Sequence, residues 1–126
     1  MPAYKTMQDC KTPEFRVVEN KQELIQQLEE LNKLKEEIFI TNPPSGIHFM
    51  GFGYIQNLAE SLSDKFPNIY DVFALNISDN YALYDQVLKS KFKIVIVSKQ
   101  NPESFAQLKS ILEKVDKKVF SDHECF

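Results

Sequence analysis

The chain has 126 residues, 43% of them apolar and 26% charged, with a net charge of −3; that is enough for one domain with one hydrophobic core, and too apolar for a disordered chain. No run approaches the roughly 18 apolar residues of a membrane span, and the N-terminal stretch lacks the apolar region of a secretory signal, so neither a membrane partner nor export is expected and the cytoplasm is. Arg16 is the only arginine among 15 basic residues, and arginine is the usual reader of phosphates and guanine, so nucleic acid is not an expected partner.

Residues 1–13 show no periodicity and read as an irregular arm ending at Thr12-Pro13. Phe15-Arg16-Val17-Val18 is the expected first strand. Asn20 is a good helix N-cap, with Glu23 three residues on in capping-box position. Leu24, Ile25, Leu28, Leu31, Leu34 and Ile38 follow at helical spacing among Gln, Glu, Asn and Lys, which predicts an amphipathic helix packed on a sheet. A coiled coil is disfavoured, because the heptads are few and the strand-like run Glu37-Ile38-Phe39-Ile40 follows at once.

From about Met50 the spacing turns helical again through Ile55, Leu58, Ala59, Leu62 and Phe66, and Pro67-Asn68 stops it. Ile69 to Ile77 is almost continuously apolar, which predicts a third strand buried on both faces. Ser78 or Asp79 then caps a helix carrying Tyr81, Tyr84, Val87 and Leu88, ending near Phe92. Ile94-Val95-Ile96-Val97 is the clearest strand and is expected at the centre. Asn101 caps a last helix with Pro102 at its first position, where the missing N–H costs nothing. The stripe of that helix is Phe105, Leu108, Ile111, Leu112 and Val115. Lys118-Val119-Phe120 reads as a short edge strand, and residues 121–126 as a tail.

This β-α alternation with short connections predicts an α/β fold: a three-layer sandwich with a mostly parallel four- or five-stranded sheet, flavodoxin-like and doubly wound. A half-barrel-like arrangement is the alternative. The single domain is expected to span 14–120. Cys10 and Cys125 belong to no CxxC pair and are expected as free thiols near the chain ends. Asp122-His123-Glu124-Cys125 offers four ligand types, but consecutively and in a tail, so no metal site is expected, nor a cofactor.

In parallel sheets ligands bind beyond the carboxyl ends of the strands. The residues expected there are Glu19, Asn20, Thr41, Asn42, Asn76, Ser78, Asp79, Ser98, Lys99 and Gln100. Helix capping by itself accounts for Asn20, Ser78, Asp79 and Asn101. The most suggestive stretch is Thr41 to Tyr54, TNPPSGIHFMGFGY, which holds all three glycines, Gly46, Gly51 and Gly53. Glycine at a helix start lets a ligand approach the backbone, and the free N–H groups favour an anion. Ser45 adds a hydroxyl and His48 a group that titrates near neutrality.

The nucleotide fingerprints fail. After Gly46 and Gly51 a P-loop needs Lys and Ser/Thr where Phe52 and Gly53 stand, and a G-x-G-x-x-G from Gly51 meets Gln56. Glycines that permit tight helix–sheet packing explain the stretch equally well. A Ser45-His48-Asp79 set is conceivable, but Ser45 lacks the G-x-S-x-G elbow. Phe49, Phe52 and Tyr54 are expected in the core first and at a dimer contact second. A phosphoacceptor receiver fails as well, with Glu19-Asn20 where an acidic pair is needed and Asn76 in place of the acceptor Asp.

The segment Gly46 to Val97, with its H-F-M-G-F-G-Y turn and I-S-D-N-Y-A-L helix start, resembles a family of short bacterial α/β proteins with no established activity. It covers under half the chain and implies no site residues. The expected function is a non-catalytic ligand-binding or protein-interaction module using the 41–54 loop, for a small anionic ligand or as a homodimer. Its candidate binding residues are Ser45, Gly46, His48, Gly51, Gly53, Asn76 and Asp79. The alternative is a small enzyme for an anionic metabolite with His48 as acid/base.

Overall fold

The computed structural model describes residues 14–31, 38–43 and 51–125. Five strands, β1 (Glu14–Val17), β2 (Ile38–Thr41), β3 (Phe73–Ser78), β4 (Ile94–Val97) and β5 (Lys118–Ser121), form one all-parallel sheet. Helices α1 (Lys21–Leu31), α2 (Gly51–Leu62), α3 (Ile69–Val72), α4 (Tyr84–Lys89, after a 3₁₀ turn Tyr81–Leu83), α5 (Pro102–Glu113) and α6 (Asp122–Cys125) separate and follow the strands. This is the α/β class with a parallel sheet that the alternation predicts, with α1–α5 layered on one face of the sheet and α6 on the other.

The strand order, which the sequence leaves open, is β1-β2-β3-β4-β5. It differs from the flavodoxin order 2-1-3-4-5 by exchange of the first two strands. With right-handed crossovers a sequential order sends successive helices to the same face. The packing agrees: Leu24 and Leu28 of α1, Ile55 and Ala59 of α2, Ile69 of α3, Val87 of α4, and Leu108 and Leu112 of α5 join Ile40, Leu75, Ile77, Val95 and Val97 in one cluster. The other face carries Phe39, Ala74, Ile94 and Ile96, with Phe15, Phe120 and Cys125 of α6 against them.

That second face is concave. Four strand spacings of about 4.8 Å would hold the edge strands β1 and β5 roughly 19 Å apart in a flat sheet. Yet the rings of Phe15 in β1 and Phe120 in β5 lie 5.3 Å apart, and Phe15 is also 5.4 Å from Phe39. The sheet therefore curls until its edges meet through aromatic side chains, a trait it shares with the half-barrel alternative.

Several boundaries shift for identifiable reasons. The predicted strand 69–77 begins at Phe73, because Ile69–Val72 is a helical turn. A short apolar run does not separate a buried turn from a strand. Here tertiary contacts settle it: Ile69 is fully buried, Tyr70 lies edge-on to Phe92 at 5.3 Å and donates to Glu60, and Asp71 pairs with Lys93. Desolvation, then the Glu60 carboxylate, pushes the Tyr70 phenol up to about 12. Ile38 belongs to β2 rather than to the first helix, and Leu34 lies outside the described residues. Val115 lies beyond α5 and is 49% exposed, so it is not part of the core stripe. Residues 121–125 are not a loose tail: Ser121 completes β5 and α6 packs back on the sheet.

The caps read from the sequence form. Asn20 Oδ1 accepts the Glu23 N–H at 2.8 Å, and Glu23 reaches back to the N–H of Glu19 at 2.9 Å. Asn101 Oδ1 accepts the Ser104 N–H, with Pro102 in the first turn. Helix α5 ends with Asp116 in a left-handed conformation (φ 65°), where Lys117 N–H bonds Leu112 O and Asp116 N–H bonds Glu113 O. This is the glycine position of a helix C-terminus, occupied here by aspartate. Lys117 is buried, and its ammonium donates to the carbonyls of Ser90 and Phe92.

Candidate functional site

The loops at the carboxyl edge of the sheet are laced together strand by strand. From β1 to β2, Val18 N–H bonds Thr41 O at 2.9 Å. From β2 to β3 the regular ladder stops after Thr41 and Ala74, and a side chain continues it. Asn42 Oδ1 accepts the Asn76 N–H and Asn42 Nδ2 donates to Asn76 O, each at 2.9 Å. The amide of one asparagine thus imitates the peptide of the missing strand residue. From β3 to β4, Ser98 N–H bonds Ser78 O. The Tyr81 hydroxyl ties the 3₁₀ turn to the β4–α5 loop, donating to Ser98 O at 2.8 Å and accepting from Asn101 N–H. From β4 to β5, Lys99 N–H reaches Asp122 Oδ1.

Asn76 is the centre of this edge. It is 1% exposed and lies on the strand parity of Ala74, towards the concave face, as Thr41 does on the parity of Phe39. Its Oδ1 accepts the N–H of Ser78 across a bulge in β3, where Ser78 takes a left-handed φ of 54°. That bond assigns the amide orientation. Among the described residues the Asn76 Nδ2 is then a buried donor with no partner. A buried donor left unmet costs about 1–3 kcal/mol, so it calls for an acceptor.

The structure brings some of the expected residues together and leaves others apart. Asn42, Asn76, Ser78 and Ser98 share the laced edge. Asp79, on the β3 exit, is exposed, and its carbonyl accepts the Tyr81 N–H. Ser45, Gly46, His48 and Phe49 lie outside the described residues, so the Ser45-His48-Asp79 arrangement does too.

Gly51 opens α2 with φ +82°, a conformation that side chains rarely adopt, and Gly53 follows in the first turn. Among the described residues a Cβ at either would meet nothing within 4 Å. Tight helix–sheet packing is therefore not what these glycines serve. Gly51 serves the backbone turn, and the space beside Gly53 is open. Phe52 is core, edge-on to Phe92 at 6.4 Å, whereas Tyr54 is 51% exposed. A small apolar pit beside Tyr54, lined by Val18, Asn42 and Phe73 among others, holds about 20 Å³, less than a bound metabolite needs.

Sequence reasoning missed the Asn42–Asn76 pairing and the role of Tyr81. Asn42 directly before Pro43 was the available signal, since proline cannot donate to a ladder and a side chain must supply the donor. Among the described residues no group of His, Cys, Asp and Glu is placed to hold a metal ion, and no helix is long and apolar enough to cross a membrane. A comparison with known protein families, curated proteins and solved structures finds no match to this chain.

Proposed function

We propose that this protein is a non-catalytic binding module that works from the carboxyl edge of its sheet, around the 41–54 loop, and takes a small anionic ligand. One observation carries the reading: the buried Nδ2 donor of Asn76, unpartnered among the described residues. It sits where the polar side chains are otherwise committed to holding main chain, which supports a rigid platform rather than a set of reacting groups. Among the described residues the space beside Gly53 is open, and the start of α2 there supports an anion as well. In this reading the protein acts in the bacterial cytoplasm and associates as a homodimer, with the exposed Tyr54 at the contact.

The test is a thermal-shift screen of carboxylates, inorganic phosphate and sugar phosphates, with wild type beside Gly53→Val. A ligand at a hundred times its dissociation constant adds about 2.7 kcal/mol. For a domain of this size the melting point then rises by roughly 3–7 °C. A Cβ at Gly53 meets no atom within 4 Å among the described residues, so the variant is expected to fold, and circular dichroism checks that it does. A shift present in wild type and lost in the variant supports the reading. Equal shifts in both proteins, or no shift with any anion, reject it. Light scattering across a dilution series tests the dimer.

A further inference from the structure

Helix α5 carries on one side an open trough of about 540 Å³. Three lysines line it, Lys99, Lys109 and Lys114, against a single carboxylate, Glu113. Of the other described cations, Arg16, Lys65, Lys89, Lys91 and Lys93 are each ion-paired with a carboxylate, whereas the exposed Lys21 and Lys118 stand apart on other elements. Lys99, Lys109 and Lys114 make no salt bridge among the described residues. Lys99 instead lies over the ring of Phe105, 5.3 Å from its centre, at the same trough. In a chain of net charge −3, three lysines against one lining carboxylate are a local excess of positive charge.

The dimensions select the occupant. Lys99 precedes and Lys114 follows the twelve residues of α5, a span of about 18 Å at 1.5 Å per residue. A small anion does not bridge the two ends of that span, whereas a peptide segment runs along all of it. The lining includes Ala106 and Ser110, one helical turn apart and both small, which lets a second backbone come close. Lysine is a mobile point charge that suits carboxylates at variable positions, and the trough holds none of the planar arginine forks that favour nucleic-acid phosphates.

We propose that this trough docks an acidic segment of a partner protein, with Lys99, Lys109 and Lys114 facing its carboxylates and Ala106 and Ser110 beneath its backbone. The proposal is independent of the anion reading at the Asn76 edge. Fluorescence anisotropy with the full chain tests it. The probe is a labelled helical peptide of Glu, Ala and Leu, about 16 residues long to match α5, and its comparison has Gln in place of every Glu.

The acidic peptide is expected to bind and the Gln peptide not, with affinity falling as salt rises. Lys109→Glu with Lys114→Glu weakens binding by at least about tenfold, and Ala106→Tyr weakens it by filling the trough. Lys65→Glu, outside the trough, leaves it unchanged, and circular dichroism checks that each variant is folded. Four results would each overturn the proposal: no binding at low salt, equal binding of the Gln peptide, equal loss with Lys65→Glu, or tighter binding of single-stranded DNA of similar length.

Discussion

Replacing Asn42 by alanine removes the side chain that stands in for a strand residue between β2 and β3. The damage is larger than the loss of one side-chain contact, because Asn42 satisfies both main-chain groups of Asn76, at 2.9 Å each, inside the protein. Each buried group left unmet costs about 1–3 kcal/mol, so the substitution is expected to destabilise by roughly 2–6 kcal/mol. That is a large part of the stability of a typical domain. Urea unfolding measures it: with a slope of about 1–3 kcal/mol per molar, the midpoint falls by roughly 1–3 M.

Asn42→Asp sharpens the test. Its carboxylate still accepts from the Asn76 N–H but cannot donate to Asn76 O. Protonation restores a donor, so burial raises the folded-state pKa above its unfolded value, and this variant gains stability relative to wild type as pH falls. The control is Asn68→Ala, an exposed asparagine without a capping bond, expected to stay within about 0.5 kcal/mol. An Asn42→Ala loss below about 1 kcal/mol would refute the claim that the amide completes the sheet.

Lys117→Met leaves the carbonyls of Ser90 and Phe92 without their donor and is expected to destabilise by about 1–3 kcal/mol in urea at neutral pH. Desolvation lowers the Lys117 pKa below 10.5, so the folded state binds fewer protons than the unfolded one between the two values. Wild type therefore gains on Lys117→Met as pH rises towards 10.5, and a shrinking difference would contradict the assignment. Tyr70→Phe removes the phenol–Glu60 bond; because the folded phenol titrates at about 12, the wild-type advantage is complete below pH 10 and disappears as pH rises through 12. Denaturation of both proteins between pH 8 and 12 follows that loss. Asp116→Gly relieves a left-handed residue at the end of α5 and is expected to raise stability by about 0.5–1 kcal/mol, read as a higher thermal midpoint.

By itself the sequence determined the local elements and their caps. The amphipathic spacing of Leu24 and Leu28, the β-branched run Ile94–Val97 and the side chains of Asn20 and Asn101 encode their structures within a few residues of themselves, and each forms. The alternation of these elements also fixed the α/β class with a parallel sheet. Strand order and curl were decided only by the tertiary structure, because they depend on which side chains meet across the sheet. Phe15 and Phe120 are separated by almost the whole chain, yet their rings touch. The same holds for the turn at Ile69–Val72, set by Phe92, Glu60 and Lys93 rather than by its own apolar run. It holds for the candidate site too. Asn42 and Asn76 are ordinary polar residues in sequence, and only the end of the β2–β3 ladder makes one the partner of the other and leaves a buried donor between the strands.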